Sequence, residues 1–326
     1  VCVVVTTYNV AAYVEKCLRA ITQQTYKNLE IIIMDDASDD GTGHLIEKWA
    51  QQDKRVKHVR LGFNSLGGAG QLRNRGLDMC SGKYVAFVDG DDFMHAEMYS
   101  QMVGYAERNG LELTVCNYNT LDDDIEMEEA ILDQDFWVRL VDGRERVLFA
   151  KHDPDLLRIS PGPWRKVYLR SFLNSNAIRF PEGDYFYEDY AFHWHSSLVA
   201  DRVGVVDEVL YFHRRQRKGQ LWFSPKPVLT KEGLKEASHL DEKLALTGIL
   251  LSINRVGKVL FSASIKKTKD AMYLAEFFNW IVRTQFVLEF SRTRWVKRKV
   301  EAAWYTTVRR WWIRAPAWYR ANKASK

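Results

Sequence analysis

The chain is poor in the features that most quickly place a protein in a class. Only four of its 326 residues are cysteine. Cys2, Cys17, Cys80 and Cys116 show no CxxC spacing, and each sits among apolar neighbours. They read as buried free thiols, which argues against a zinc site or a disulfide scaffold and points to a reducing compartment. No apolar run is long enough to span a bilayer, so no transmembrane helix is expected. No secretory leader is recognisable. The chain opens on Val1, inside an expected strand and without a methionine, and so reads as part of a longer protein. Acidic charge is scarce at one end. From Ser291 to Lys326 there are eleven Lys/Arg against the single acid Glu301. That stretch carries +10 of a chain whose total is +5, so the body is mildly acidic. What remains is ordinary globular composition, 46% hydrophobic and 27% charged, in a chain long enough to bury a large core.

The first hundred residues alternate two periodicities. Val1–Thr7, Leu29–Met34, Val56–Leu61, Tyr84–Val88 and Leu113–Tyr118 read as strands. Between them Ala11–Gln24, Thr42–Gln51, Gln71–Cys80 and Glu97–Asn109 read as amphipathic helices. Apolar strands alternating with helices predict a parallel sheet covered on both faces, whose ligands bind beyond the carboxyl ends of the strands. Three polar clusters fall at those ends: Thr7-Tyr8-Asn9, Asp35-Asp36 through Gly41, and Asp89-Gly90-Asp91-Asp92. The last places three carboxylates behind the strand Tyr84–Val88. Hard oxygen ligands of this kind suit Mg2+ or Mn2+, often alongside substrate phosphates. A plain acidic turn with Gly90 at positive φ is the other reading of the same four residues. Gly67-Gly68-Ala69-Gly70 leads into a helix bearing Arg73 and Arg75, where backbone N–H groups can meet an anion.

In order, spacing and strand context these residues resemble the inverting GT-A glycosyltransferases of family 2. The resemblance is carried by Val3 to Asn9, Gln24 to Thr42, Gly68 to Leu77, and Gly82-Lys83-Tyr84 with the acidic tetrad. Pro163-Trp164-Arg165-Lys166-Val167-Tyr168 and Glu188-Asp189-Tyr190-Ala191-Phe192 match later, weaker motifs. The resemblance implies an α/β GT-A fold: a Rossmann-like nucleotide-binding, mixed and mainly parallel sheet flanked by helices. It implies a catalytic domain over 1–222, with a nucleotide-sugar half over 1–120 and an acceptor half over 121–222. It further implies a nucleotide-sugar donor, usually a UDP-sugar, with Mn2+ or Mg2+. Thr7, Tyr8, Asn9 and Asp36 then line the nucleoside, Arg73 stands near the phosphates, and Asp89 lies near ribose and metal. Asp91 holds the metal, helped by Asp92 and by His213. Asp189 is the base, with Glu188 and Asp184 as substitutes. Trp164 and Lys166, in the motif at 163–168, and Arg215 and Arg217 are candidates for the diphosphate or the acceptor; Arg214, Arg215 and Arg217 follow a strand Val209–Phe212 as a basic loop that could close over the diphosphate, with solvated surface charge the equal alternative. His193 and His195 depart from the family pattern and read as core histidines. The acidic segment Asp122–Glu129 reads as a solvated loop.

Beyond Pro225 and Pro227 the pattern turns helical, through Leu234–Leu250 and Ala271–Phe290, as a C-terminal extension over 223–326. Its end interleaves basic residues with Trp295, Trp304, Trp311, Trp312 and Trp318. Such a stretch suits the surface of a membrane, although a helix pair packed on the catalytic domain has the same composition. Nucleic acid is the least favoured partner, and self-association of the helices is open. The expected enzyme is therefore a glycosyltransferase acting on a glycan or lipid-linked acceptor in surface polysaccharide or glycolipid synthesis. It would sit in the cytoplasm, peripheral to the inner membrane face. The lack of membrane spans and of a QxxRW motif argues against a processive synthase. A nucleotidyltransferase would want a Gly- and Lys/Arg-rich signature that Thr6–Val10 lacks, and a non-catalytic binding module would not need Asp89, Asp91 and Asp189.

Overall fold

The computed structural model describes residues 1–65, 69–122, 128–129, 133–143, 145–148, 153–182 and 188–215. The expected boundary near 222, the helical extension, Arg217 and Asp184 lie outside the described residues.

The strands are β1 (Cys2–Thr7), β2 (Glu30–Asp35), β3 (Val56–Arg60), β4 (Tyr84–Asp89) and β5 (Phe93–Met94), followed by β6 (Leu113–Asp122), β7 (Glu128–Glu129), β8 (Arg146–Leu148), β9 (Lys166–Leu169) and β10 (Val203–Arg215). The helices are α1 (Val14–Thr22), α2 (Thr42–Gln52), α3 (Gly70–Met79), α4 (Met98–Asn109), α5 (Gln134–Val141), α6 (Arg170–Ser175) and α7 (Glu188–Val199). One sheet runs in the order β3-β2-β1-β4-β9-β6-β10-β5, with β7 on β6 and β8 on β10. The first half, β3-β2-β1-β4, is parallel throughout. Its inner strands are buried on both faces, as a sheet sandwiched between helices requires: β1 has no exposed position, and β2 and β4 have one half-exposed end each, whereas the edge strand β3 is largely exposed.

The second half makes the sheet mixed, as the GT-A resemblance implies. Strand β9 is inserted antiparallel between β4 and β6. Its sequence, Lys-Val-Tyr-Leu, is short and starts on a charge, so periodicity alone does not mark it as a strand. The insertion matters for the site: because β9 runs against β4, its beginning, and the 3-10 turn Pro163–Arg165 before it, lie near the end where β4 delivers Asp89. Strand β10 is far longer than the expected Val209–Phe212 and carries a register irregularity against β6 between Val206 and Tyr211. His213, Arg214 and Arg215 are consequently strand residues and not a loop.

A second correction concerns the cysteines. Cys2 at the start of β1 and Cys80 after α3 form a disulfide, whereas Cys17 and Cys116 are buried free thiols. The pair is 78 residues apart in sequence, and only the packing of α3 on β1 brings the two together. The argument for a reducing compartment loses its support accordingly. Among the described residues no helix is long and apolar enough to cross a membrane.

A disulfide closing a loop of this length restricts the unfolded chain, and removing a native one typically costs about 2–5 kcal/mol. Thermal unfolding of the protein with and without dithiothreitol is expected to show a clear fall in Tm on reduction, matched by Cys80→Ser. An unchanged Tm, with both thiols titrating as free, would contradict the bridge.

Candidate active site

The site assembles at the carboxyl ends of β1, β2 and β4, closed on one side by β5, β10 and the start of α7. Gly90 lets the tetrad turn there. It does not hold a positive φ. A Cβ on it would meet Thr7 Cγ2 at 2.5 Å and the Thr6 carbonyl oxygen at 3.1 Å, so close approach to β1 is what demands glycine.

After that turn, β5 pairs antiparallel with β10, Phe93 opposite Phe212. One residue outward along this register, Asp92 opposes His213. The consequence is a buried cluster. Tyr211 donates its hydroxyl to Asp92 Oδ2 at 2.8 Å, and His213 Nδ1 lies 3.0 Å from the same oxygen. The backbone N–H of Arg214 donates to Oδ1 at 2.8 Å. Asp92 is 1% exposed. Burial first, and the neighbouring Asp91 and Asp89 further, raise its carboxyl to about 6 despite His213. Burial opposes the charge on His213, but Asp92, then Asp89 and Asp91, carry it up to about 9. Trp164 fixes the ring from the side: it stacks on His213 and on Tyr211, with centroids 4.8 Å away in each case.

Ligand atoms of Asp89, Asp92 and His213 lie within 4.8 Å of one another. Two carboxylates and an imidazole form a donor set that fits Mn2+ or Mg2+. Asp91, expected as the principal metal ligand, lies outside this trio although it is buried; its carbonyl oxygen accepts a hydrogen bond from Arg214 Nε at 3.0 Å.

The second half of the site is a buried guanidinium. Arg73, on α3, is 3% exposed. Nη2 donates to Asp89 Oδ1 at 2.8 Å, and Nη1 donates to Asp189 Oδ1 at 2.5 Å and to Glu188 Oε1 at 3.3 Å. Helix α3 reaches α7 because its first residue is Gly70, where a Cβ would come within 3.0 Å of the Pro181 carbonyl oxygen and 3.1 Å of Glu188 Cγ. Burial works against Arg73's charge, but Asp189, Asp89 and Glu188 together raise its pKa above the usual guanidinium range. Among the carboxylates, burial raises Glu188 to about 7, with Asp189 adding to it. Burial likewise raises Asp189, opposed by Arg73. For Asp89 the order of effects reverses: burial pushes up, and Arg73 with His213 and Thr6 brings the carboxyl below its ordinary value.

The nucleoside candidates group at β1 and β2. Thr7 is buried and donates to Asp35 Oδ1 at 3.1 Å. Asn9 holds positive φ (49°) and accepts from the Asp39 N–H through its side-chain oxygen at 3.0 Å. Tyr8 is 37% exposed. Asp36 is engaged by a segment that sequence reasoning passed over: Ser65 donates its N–H and its hydroxyl to the carboxylate at 2.9 and 2.7 Å, and Asn64 Nδ2 donates at 3.1 Å. Burial raises the Asp36 carboxyl in spite of these donors. A motif comparison has no way to signal them, since they come from the loop after β3.

Two expected contacts are not made. Lys166 is fully buried, and its ammonium donates to the carbonyl oxygens of Ser160, Pro161 and Gly162 at 3.1, 3.1 and 2.8 Å. Its three donors are spent, so it pins the turn before β9 and is not offered to a diphosphate or acceptor. Trp164 is 5% exposed and packs behind His213 and does not line an open acceptor surface. His193 is a core residue as expected, with Nδ1 3.3 Å from Ser197 Oγ and burial holding its pKa well below the ordinary value. His195 is buried on the same helix. Arg215 is partly buried at the end of β10.

Comparison with known proteins agrees with this geometry. Residues 2–134 match the family described as Glycosyl transferase family 2. The uncharacterized glycosyltransferase EpsJ of Bacillus subtilis is 28% identical over 236 residues, covering 72% of this chain and 67% of EpsJ. Glycosyltransferase GlyG of Streptococcus pneumoniae is 25% identical over 287 residues, covering 84% of this chain and 90% of GlyG. Among solved structures, Staphylococcus aureus TarS 1–349 in complex with UDP-GlcNAc shares the fold, with a TM-score of 0.68 at 21% identity over 93% of this chain and 78% of that one.

Glu188 yields a test of the buried charge network. Its carboxyl rises from 4.5 unfolded to about 7 folded, so the stability it confers is present below the unfolded value and is lost as pH rises through 7. Glu188→Gln is therefore expected to match the wild type in urea unfolding near pH 4.5 and to exceed it near pH 8. Equal stability of the two at both pH values would contradict the raised carboxyl.

The family match over residues 2–134, the glycosyltransferase relatives and the shared architecture together support a GT-A glycosyltransferase of family 2.

Proposed function

We propose that the protein is a metal-dependent, inverting glycosyltransferase that moves a sugar from a UDP-sugar to a hydroxyl of a glycan or lipid-linked acceptor, in the synthesis of a cell-surface polysaccharide or glycolipid. The observation that carries this reading is the contact of Arg73 with both halves of the site: it bonds Asp89, in the trio suited to a cation, and Asp189, at the start of α7. The UDP preference is supported by the TarS structure described with UDP-GlcNAc, and the surface-polymer context by the TarS name, poly(ribitol-phosphate) beta-N-acetylglucosaminyltransferase.

Asp89, Asp92 and His213 would hold the cation, which when bound supplies positive charge against the diphosphate leaving group. Arg73 adds a fixed positive charge on the same side, already desolvated and oriented, so that little reorganisation is needed as negative charge develops there. Asp189 takes the proton of the attacking hydroxyl. Its raised carboxyl makes it a better proton acceptor than a solvated aspartate, and Arg73 keeps it ionised. A single displacement needs this one base and no covalent glycosyl-enzyme.

The test is UDP-sugar turnover with Mn2+ or Mg2+, read as UDP release. Asp189→Asn is expected to lower kcat by about 10²–10⁴-fold while leaving the Kd for UDP unchanged. Asp92→Asn and His213→Ala are expected to weaken metal-dependent UDP binding. Retained turnover in Asp189→Asn would contradict its role as base, and UDP binding that ignores both metal and His213→Ala would contradict the metal assignment.

A further inference from the structure

We propose that Phe63 forms the second wall of the nucleobase slot, facing Tyr8 across Asp36, so that the base is held between two aromatic rings. This inference rests on the UDP-sugar reading above. Among the large hydrophobic residues described as exposed, Phe63 stands out at 77%, against 37% for Tyr8, 43% for Met79 and 55% for Val138. A lone exposed phenylalanine on a free loop would need no explanation. This loop is not free. The next two residues, Asn64 and Ser65, spend three donors on the Asp36 carboxylate. Before it, the Leu61 N–H donates to the Asp35 carbonyl oxygen at 2.8 Å. The chain is thus tied to the end of β2 on both sides of Phe63.

Sheet order supplies the other half of the geometry. β2 lies between β3 and β1. Tyr8 follows β1, and the Asp36 N–H donates to the Thr7 carbonyl oxygen at 2.9 Å. Phe63 follows β3. The two aromatics therefore leave the sheet on opposite sides of Asp36. Neighbouring strands are about 4.8 Å apart, so the two segments depart roughly 10 Å apart. A planar ring stacked between two others needs about 7–8 Å between them, two van der Waals contacts. The backbone spacing is of the order that one base between two rings requires. Asp36, between them, is acceptor-only when ionised and so selects a base edge that presents an N–H, as uracil does. Asn64 and Ser65 act as positioning residues, setting both the carboxylate and the ring next to it.

The experiment is calorimetric titration of the wild type, Phe63→Ala and Phe63→Tyr with UDP in Mn2+, and separately with inorganic pyrophosphate in Mn2+. Stacking of a base on an aromatic side chain is worth about tenfold or more in affinity. The proposal expects Phe63→Ala to weaken UDP by about ten- to hundredfold, Phe63→Tyr to restore it, and pyrophosphate binding to be unchanged in both. Because the side chain is so exposed, the Tm of Phe63→Ala should equal that of the wild type. Unchanged UDP affinity in Phe63→Ala, beside a wild type that binds UDP, overturns the second wall and leaves the donor reading standing. Equal weakening of UDP and pyrophosphate overturns stacking in favour of a general loop effect. A wild type that binds no nucleotide overturns the donor reading and the inference together.

Discussion

One buried cation holds this site together. Arg73 is enclosed by protein, and its two terminal nitrogens reach three carboxylates that come from two distant parts of the chain: Asp89 from the end of β4, and Glu188 and Asp189 from the start of α7. Arg73 and Glu188 are buried, Asp89 and Asp189 half-buried, and neither buried group could be enclosed alone. A desolvated guanidinium is costly, and so is a cluster of desolvated carboxylates. Together they satisfy one another, and the direction of each shift records the compromise: Asp89, closest to net neutralisation, is held low, while Glu188, sharing the other nitrogen with Asp189, is driven up to about 7. Acid exceeds base within this group, and Asp92 and His213 lie close enough to Asp89 to form with it a trio of ligand atoms suited to a cation.

The sheet explains why the demand arises here. A parallel sheet with apolar strands has no place for polar groups except beyond the strand ends, and β1, β2 and β4 deliver Thr7, Asp36 and Asp89 there. The antiparallel partners then supply what a purely parallel sheet could not. The pairing of β5 with β10 sets Asp92 against His213, and the reversed β9 brings Trp164 to stack on that ring. The arrangement of Asp92, His213 and Trp164 thus depends on strand directions as much as on side-chain identity.

Much of the first half was legible in sequence, because long β-branched runs and helical periodicity are local signals; β1 to β4 and their helices fall within a few residues of expectation. The acidic tetrad, Arg73 and the Glu188-Asp189 pair were likewise legible, as motifs with spacing. The failures share a cause, which is that burial and pairing are not local. Lys166 sits in a matching motif, yet its ammonium is turned inward onto three carbonyls. Cys2 and Cys80 looked like isolated thiols because nothing within either segment points to the other. Strand β10 was read short since its polar end, His213-Arg214-Arg215, lacks the apolar alternation of a strand and is held by pairing to β6. Asn64, Ser65 and Phe63 were invisible until the loop after β3 was seen against Asp36.

The central claim is that Arg73 is the charge on which the other groups depend, and urea unfolding tests it most directly. Removing one partner from a buried ionic network leaves uncompensated charge and typically costs about 3–5 kcal/mol. Arg73→Met is predicted to lose stability on that scale, and the loss should be largely recovered when Asp89→Asn, Glu188→Gln and Asp189→Asn are added to it. A loss below about 1 kcal/mol in Arg73→Met, comparable to an exposed ion pair, or no recovery on neutralising the carboxylates, would contradict the account.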